Sequence, residues 1–192
     1  MDLHGKKIIL ASNSPRRREL LTGLNIDFEI DAESDFTENF SSDTPHSEIP
    51  VLMSRGKSRG FHSPLCENEI LLTADTMVFC EGSIMGKPHS REEAVRMLVT
   101  LSGREHQVIT AVTLRDARRE VTFTDTSNVY FKDLTPAEID FYIDRYKPFD
   151  KAGAYGIQEW IGYAGITRIE GSYFNIVGLP VHRVYAELQA FL

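Results

Sequence analysis

This chain of 192 residues has little cysteine and no long apolar run. Its two cysteines, Cys66 and Cys80, are far apart and show no Cys-x-x-Cys or Cys/His zinc spacing, which predicts free thiols in a reducing compartment. No stretch approaches the length that a bilayer span needs, and the N-terminus has no long apolar segment before a cleavage site. We therefore expect a cytoplasmic protein.

An excess of basic residues is also lacking. The chain has 21 lysine and arginine residues against 28 aspartate and glutamate residues, for a net charge of −7. General binding to nucleic acid or to a membrane surface needs a basic face, so this charge argues against both. The sequence has no P-loop, no G-x-G-x-x-G after its first strand, no H-E-x-x-H and no nucleophile elbow. A polyphosphate site would have to be a local basic pocket.

Strand and helix signals interleave along the chain. Strands are predicted at residues 7–11, 70–79, 83–85, 106–115, 121–131 and 166–170, with a hairpin turn at 116–119. Helices are predicted at residues 15–24, 48–60, 91–101, 136–145 and from 180 to the end, with capping boxes at Ser90 and Thr135. Residues 34–45 are expected to form a polar, acidic loop, and residues 145–165 a loop-rich, aromatic region. The pattern predicts an α/β fold, a mixed twisted sheet with flanking helices, in a single domain over residues 1–192.

Near the N-terminus, an apolar strand runs directly into a helix start. Ser14 is the predicted N-cap and Pro15 the first helical residue. Arginines at 16–18 then lie at the positive end of the helix dipole, a placement that is unfavourable for each cation by about 0.3–1 kcal/mol. Backbone N–H groups and guanidinium groups together would bind an anion, most naturally a phosphate. The alternative is three solvated arginines paired with carboxylates such as Glu19.

Asp75 interrupts an apolar strand, residues 70–78. A carboxylate in such a run is costly unless it is paired, bound to a metal or at the exposed end of the strand. Two interpretations remain open. Asp75 is either a structural residue in a salt bridge to an arginine, or it is a general base or a Mg²⁺ anchor beside phosphates.

Two further polar residues, Lys87 and Gln158, could contact a phosphate or a base, and each has a structural alternative. For Lys57 the structural interpretation is favoured, and only the resemblance described below assigns it a ligand. Lys87 precedes Pro88, so it is extended and could reach a phosphate, but surface lysines are common. Lys57 falls near a helix end, where the dipole stabilises a cation without any ligand. Gln158 follows small residues, and its amide offers the donor and the acceptor that reading a base edge requires. A buried glutamine satisfied by loop backbone is the competing interpretation.

Six segments, in this order, resemble the Maf family: residues 10–17 (LASNSPRR), 73–76 (TADT), 86–88 (GKP), 101–103 (LSG), 151–158 (KAGAYGIQ) and 171–180 (GSYFNIVGLP). The resemblance spans nearly the whole chain. It implies a two-lobed fold with a central cleft, like that of inosine-triphosphate pyrophosphatases, and a homodimer. It also implies hydrolysis of the α–β phosphoanhydride of a nucleoside triphosphate with a divalent metal, Mg or Mn.

The resemblance further implies roles for individual residues. Asp75 matches the proton acceptor that activates water and is also expected to face the metal. Glu38 matches a second acidic residue near the metal, although the alignment in its loop could slip to Glu33. The residues expected to bind the triphosphate are Ser12, Arg17, Lys57 and Lys87.

Three positions separate the subgroups of the family: Arg16, Thr76 and Gln158. Their combination resembles the branch that prefers dTTP and UTP, and the branch that favours 7-methyl-GTP carries Trp, Gln and Glu at these places. We therefore expect a pyrimidine triphosphate as substrate. The alternatives are 7-methyl-GTP or a non-standard purine triphosphate, or a nucleotide-binding regulator of cell division, since the family is linked to inhibition of septum formation.

Overall fold

The computed structural model describes residues 3–37, 39–41 and 43–192. Its strands are β1 Lys7–Leu10, β2 Phe28–Ile30, β3 Glu69–Cys80, β4 Ser83–Met85, β5 Glu105–Arg115, β6 Glu120–Phe131 and β7 Ile166–Glu170. They form one sheet in the order β2-β1-β3-β5-β6-β7, with β4 paired to β3. Strand β1 is parallel to β2 and β3, whereas β4 is antiparallel to β3 and β7 is antiparallel to β6. The predicted mixed sheet is confirmed.

Helices flank this sheet, as predicted. They are α1 Pro15–Thr22, α2 Ile49–Arg59, α3 Arg91–Leu101, α4 Pro136–Tyr146, α5 Trp160–Ala164, α6 Tyr173–Val177 and α7 Val181–Phe191. Short 3₁₀ turns occur at His46–Glu48 and Ala152–Ala154. Within the described part of the chain, no helix is long and apolar enough to pass through a bilayer.

Side-chain caps fix the starts of two helices that bear on the site. The Ser14 hydroxyl accepts a hydrogen bond from the Arg17 backbone N–H, so α1 begins at its proline as predicted. At α4, Thr135 and Glu138 each accept from the other's backbone N–H, which confirms that capping box. Both ends therefore satisfy N–H groups that have no partner inside the helix.

The structure differs from the sequence prediction in a few elements. At α3, Ser90 accepts from the Glu93 N–H as predicted, but the Glu93 carboxylate accepts from the His89 N–H at 2.7 Å, one residue before the expected position. Strand β2 and helices α5 and α6 were not predicted. They have three to five residues each, too few to show a hydrophobic period.

Two compact units, each with its own core, make up the chain. The first unit comprises Met1–Asp75, Thr110–Asp125 and Gly178–Leu192, and its core is built from residues of β1, β3, β5, α1 and α7. The second unit comprises Thr76–Ile109 and Thr126–Val177, and its core is built from residues of β3, β6, α3, α4 and the segment that follows α4. Strands β3, β5 and β6 each run from one unit into the other. A single domain over residues 1–192 remains a prediction.

Candidate active site

The carboxylate of Asp75 forms a partly buried ion pair in the first unit. Asp75 is 8% exposed, and its Oδ1 lies 2.6 Å from the Nζ of Lys57. Its other oxygen, Oδ2, is buried and has no hydrogen-bond partner among the described residues. The partner of Asp75 is therefore a lysine and not the arginine that the structural interpretation assumed. One carboxylate oxygen remains to accept a proton or to bind a cation.

Buried hydroxyl groups hold the two elements that carry this pair. The Thr73 hydroxyl donates to the Ser54 carbonyl oxygen at 2.8 Å, and the Ser54 hydroxyl lies 2.8 Å from the Thr113 hydroxyl. Ser54 precedes Lys57 by three residues on α2, and Thr73 precedes Asp75 by two on β3. Each hydroxyl therefore shares a face with one member of the ion pair. The network fixes α2 against β3 directly behind the pair.

Arg17 is bound to backbone on two sides within the first unit. Its Nη1 donates to the Ala74 carbonyl oxygen at 2.9 Å, and its Nε donates to the Gly178 carbonyl oxygen at 2.9 Å. Nη1 also lies 3.4 Å from the hydroxyl of Ser12, which is itself buried. Arg17 thus ties α1 to the residue that precedes Asp75. Arg16, next to it, is partly exposed.

Three further candidate residues, Thr76, Lys87 and Gln158, lie in the second unit. Thr76 follows Asp75 on β3, and Lys87 is exposed in the segment after β4. The Gly153 N–H donates to the Gly86 carbonyl oxygen at 3.1 Å, so this segment lies against the loop that carries Gln158. The Oε1 of Gln158 is buried without a hydrogen-bond partner among the described residues. The interpretation in which loop backbone satisfies this glutamine therefore fails for its amide oxygen.

Comparison with known proteins agrees with the sequence resemblance. The family model described as Maf-like protein matches residues 7–191. The chain belongs to the Maf family. It is 49% identical over 185 residues to the dTTP/UTP pyrophosphatase of Parabacteroides distasonis, covering 96% of each chain. It is 46% identical over 190 residues to the dTTP/UTP pyrophosphatase of Christiangramia forsetii, covering 99% of this chain and 96% of that one.

Among solved structures, this Maf chain has a distant similarity to a HAM1 protein from Coxiella burnetii. The TM-score is 0.42 at 15% identity, over 66% of this chain and 73% of that one. A score at this level does not establish a common fold. The relation to inosine-triphosphate pyrophosphatases therefore remains a prediction.

A divalent metal is compatible with the Maf site as far as the structure describes it. Mg²⁺ is commonly held by one or two carboxylates together with substrate phosphates and water, and the Oδ2 of Asp75 is a buried carboxylate oxygen without a partner. Within residues 3–37, 39–41 and 43–192, no three His, Cys, Asp or Glu side chains form a metal-binding group. Glu38, the second predicted metal residue, lies outside the described residues. Glu33, its alternative, is exposed.

The loop before position 38 is anchored on the helix that carries Lys57. A Cβ added to Gly56 would lie 2.2 Å from the Cε2 of Phe36, so the Phe36 ring occupies the space that a side chain at Gly56 would need. The Asp35 N–H also donates to the Gly60 carbonyl oxygen at 2.8 Å. The Phe36 contact requires glycine at position 56, because any larger residue would displace the ring.

Two groups of residues, one in each unit, were missed by sequence reasoning. One is the set of hydroxyl groups on Ser54, Thr73 and Thr113, and the other is a charged network around Tyr142 and Glu159. The first group had a detectable signal, since threonines inside buried strands need a hydrogen-bond partner. The second group joins residues that are 17 apart in the sequence and follows no helical or strand period.

Proposed function

We propose that this chain hydrolyses dTTP and UTP to the nucleoside monophosphate and pyrophosphate. The observation that carries this proposal is the unpartnered Oδ2 of Asp75, buried beside the ammonium group of Lys57. Membership of the Maf family and similarity over nearly the full length to proteins named dTTP/UTP pyrophosphatase support the substrate class.

In this proposal Asp75 is the general base. Its Oδ2 accepts a proton from a water molecule while the water oxygen bonds to the α-phosphorus. The bond from that phosphorus to the bridging oxygen breaks, and pyrophosphate leaves with the bonding electrons. Lys57 holds the other carboxylate oxygen at 2.6 Å and so fixes the direction in which Oδ2 points.

Cationic side chains and a metal account for the charge that develops on the phosphates. We assign Lys57 and Lys87 to phosphate oxygens, together with Ser12 and the N-terminal turn of α1. Arg17, which is bound to the carbonyl groups of Ala74 and Gly178, keeps that turn in register with Asp75. A divalent cation held by Asp75 and Glu38 would neutralise phosphate oxygens as a Lewis acid.

Recognition of the base is assigned to Gln158, with Arg16 and Thr76 as the other specificity positions. The N3–H of uracil or thymine is a donor that would satisfy the unpartnered Oε1 of Gln158. The amide NH₂ can at the same time donate to O4 of the base. Cytosine lacks the N3–H, so an amide fixed in this orientation favours uracil and thymine.

The test is pyrophosphate release from UTP by the purified protein, with Mg²⁺ and again with EDTA. We expect Asp75→Asn to lower kcat by about 10²–10⁴-fold, because a positioned general base typically contributes that much. The fold should survive, as checked by the thermal midpoint, since asparagine has nearly the same volume. Asp27→Asn, the same change at an exposed site, is the control and should keep wild-type turnover.

Three outcomes would contradict the proposal. Wild-type turnover by Asp75→Asn at saturating Mg²⁺ would remove Asp75 as the base. Release of inorganic phosphate in place of pyrophosphate would exclude α–β cleavage. Nucleotide binding with product formed only at the uncatalysed rate would instead favour a nucleotide-binding regulator.

A further inference from the structure

The loop that carries Gln158 is more deeply buried than loops usually are. Residues 151 and 153–157 are all buried, although they contain only one short 3₁₀ turn. Loops normally run over the surface, because buried backbone needs hydrogen-bond partners that irregular segments do not supply. Two backbone hydrogen bonds form within the loop, from the Ala154 N–H to the Lys151 carbonyl oxygen and from the Glu159 N–H to the Gly156 carbonyl oxygen, and further partners come from elsewhere in the second unit.

Tyr142 on α4 makes two hydrogen bonds to this segment, one to backbone and one to a side chain. Its side chain is fully buried, and its hydroxyl donates to the Oε2 of Glu159 and accepts from the Gly156 N–H at 2.9 Å. Burial and the hydrogen bond to Glu159 raise the pKa of Tyr142 above its ordinary value, so the phenol remains a donor at any physiological pH. One hydroxyl thus contacts the chain on both sides of Gln158.

Lys151 completes the network from the other end of the loop. Its Nζ lies 3.1 Å from the Oε1 of Glu159 and 2.7 Å from an oxygen of Asp150. Glu159, the residue after Gln158, is therefore held at both carboxylate oxygens. A Cβ added to Gly156 would lie 3.0 Å from the Cε of Lys151, so these side chains already fill the space.

Two further contacts attach the same loop to the rest of the second unit. The Tyr155 hydroxyl lies 2.8 Å from the Nε2 of His106 on β5, and the Gly153 N–H donates to the carbonyl oxygen of the residue before Lys87. The loop is thus fixed at α4, at β5 and at the segment after β4. At the centre of this fixed segment, the Oε1 of Gln158 is buried without a partner among the described residues.

We infer that Tyr142, Glu159 and Lys151 are positioning residues for base recognition: they hold the backbone around Gln158 so that its amide meets uracil or thymine in one orientation. This inference rests on the proposed function. A fixed amide presents its oxygen to the N3–H of uracil, and a loosened one can rotate and meet cytosine, whose edge carries the opposite pattern. The network therefore sets the preference for UTP over CTP as well as affinity.

The test is Tyr142→Phe, with Tyr146→Phe on the same helix as the matched control. Removal of the Tyr142 hydroxyl leaves the buried Gly156 N–H and the partly buried Glu159 carboxylate without this partner. We expect the KM for UTP to rise about tenfold, which corresponds to about 1.4 kcal/mol of lost binding free energy, because the loosened loop no longer holds the Gln158 amide in one orientation. The ratio of kcat/KM for UTP to that for CTP should fall by a similar factor while kcat changes less than about twofold. The control should keep all three values.

A double-mutant cycle separates positioning from general destabilisation. If Tyr142 acts through Gln158, then Tyr142→Phe should leave the KM unchanged in a Gln158→Ala background, and an additive increase would overturn the inference. If Tyr142→Phe fails to fold, Glu159→Gln, which keeps an acceptor for the tyrosine, takes its place in the double-mutant cycle. If the KM for UTP and the ratio of kcat/KM for UTP to that for CTP are unchanged in these variants, this inference is refuted but the proposed function is not. Absence of pyrophosphate release from UTP by the wild type would refute the proposed function.

Discussion

At the residue scale, unpartnered buried atoms have different causes in different places. Among the described residues, Oδ2 of Asp75, Oε1 of Gln158 and Nδ1 of His106 are buried without hydrogen-bond partners. Leaving a buried polar atom without a partner typically lowers the free energy of unfolding by about 1–3 kcal/mol, so each case needs an explanation. The first two belong to residues for which we propose contacts with substrate. His106 packs edge-on against Phe131 and Tyr155, and burial lowers its pKa to about 3. It is therefore a neutral core residue.

His106 should make the stability of the protein depend on pH. Its folded pKa of about 3 lies below the ordinary value of 6.5, so the unfolded chain takes up a proton between these values. Stability is then fully present above the unfolded pKa and falls as pH decreases through this window. Between about pH 7 and about pH 5, the wild type should lose about 2 kcal/mol more free energy of unfolding than His106→Gln. Urea titrations at the two pH values measure this difference, and equal losses in both proteins would show that His106 titrates normally.

At the scale of elements, the register between α2 and β3 decides whether Lys57 reaches Asp75. That register depends on the buried hydroxyl groups of Ser54, Thr73 and Thr113, since the carbonyl of Ser54 also accepts from Thr73. Apolar packing alone leaves a helix free to slide along a strand by fractions of an ångström, whereas hydrogen bonds fix a distance. Small displacements of a positioned group cost large factors in rate. We therefore expect these hydroxyl groups to support activity as well as stability.

Ser54→Ala should lower both stability and turnover. The change removes one partner of the Thr113 hydroxyl, which still lies 3.0 Å from the Thr122 hydroxyl, so we expect a cost of about 0.5–1.5 kcal/mol in the free energy of unfolding. It also frees the turn of α2 that carries Lys57, so kcat for UTP should fall. Ser58→Ala is the matched control, because Ser58 is equally buried on α2 but accepts from Arg115 instead. A similar loss of stability with unchanged kcat is expected there, and equal kcat in the two variants would contradict the role of Ser54.

The elements that the sequence predicted well are those with local signals. Helix α3 and strand β7 have the predicted bounds, and α1 begins at its predicted cap, because caps and hydrophobic periods are properties of neighbouring residues. Strand β2 exists because it pairs with β1, and α5 and α6 are single turns whose residues pack in the core of the second unit. Such short helices do not form in isolation, so their sequences carry little signal.

In the candidate site, too, the residues with a local signal were predicted, and their distant partners were not. Asp75 stood out because a carboxylate interrupts an apolar strand, but its lysine partner lies 18 residues away and could not be deduced from spacing. Arg17 stood out as a cation at the unfavourable end of a helix, and the structure shows that its guanidinium group donates to backbone carbonyl groups. Sequence thus identified the unusual residues, and only the structure supplied their partners.

At the scale of the whole molecule, the candidate residues divide between the two units. Arg16 lies on α1 in the first unit, whereas Thr76 on β3 and Gln158 in the loop after α4 belong to the second. These three candidate specificity positions come from three separate segments of the chain. Exchange of a single position should therefore disrupt recognition of one base without creating recognition of another.

The triple variant Arg16→Trp, Thr76→Gln, Gln158→Glu should shift preference from UTP towards 7-methyl-GTP. A carboxylate at position 158 can accept from the N1–H and N2–H₂ donors of guanine but cannot donate to O4 of uracil, and an indole offers a face to the positively charged 7-methylguanine ring. We expect the ratio of kcat/KM for 7-methyl-GTP to that for UTP to rise by about 10²-fold or more. Gln158→Glu alone should lose UTP hydrolysis without this gain. Pyrophosphate release from both substrates measures the ratio, and an unchanged ratio in the triple variant would mean that other residues select the base.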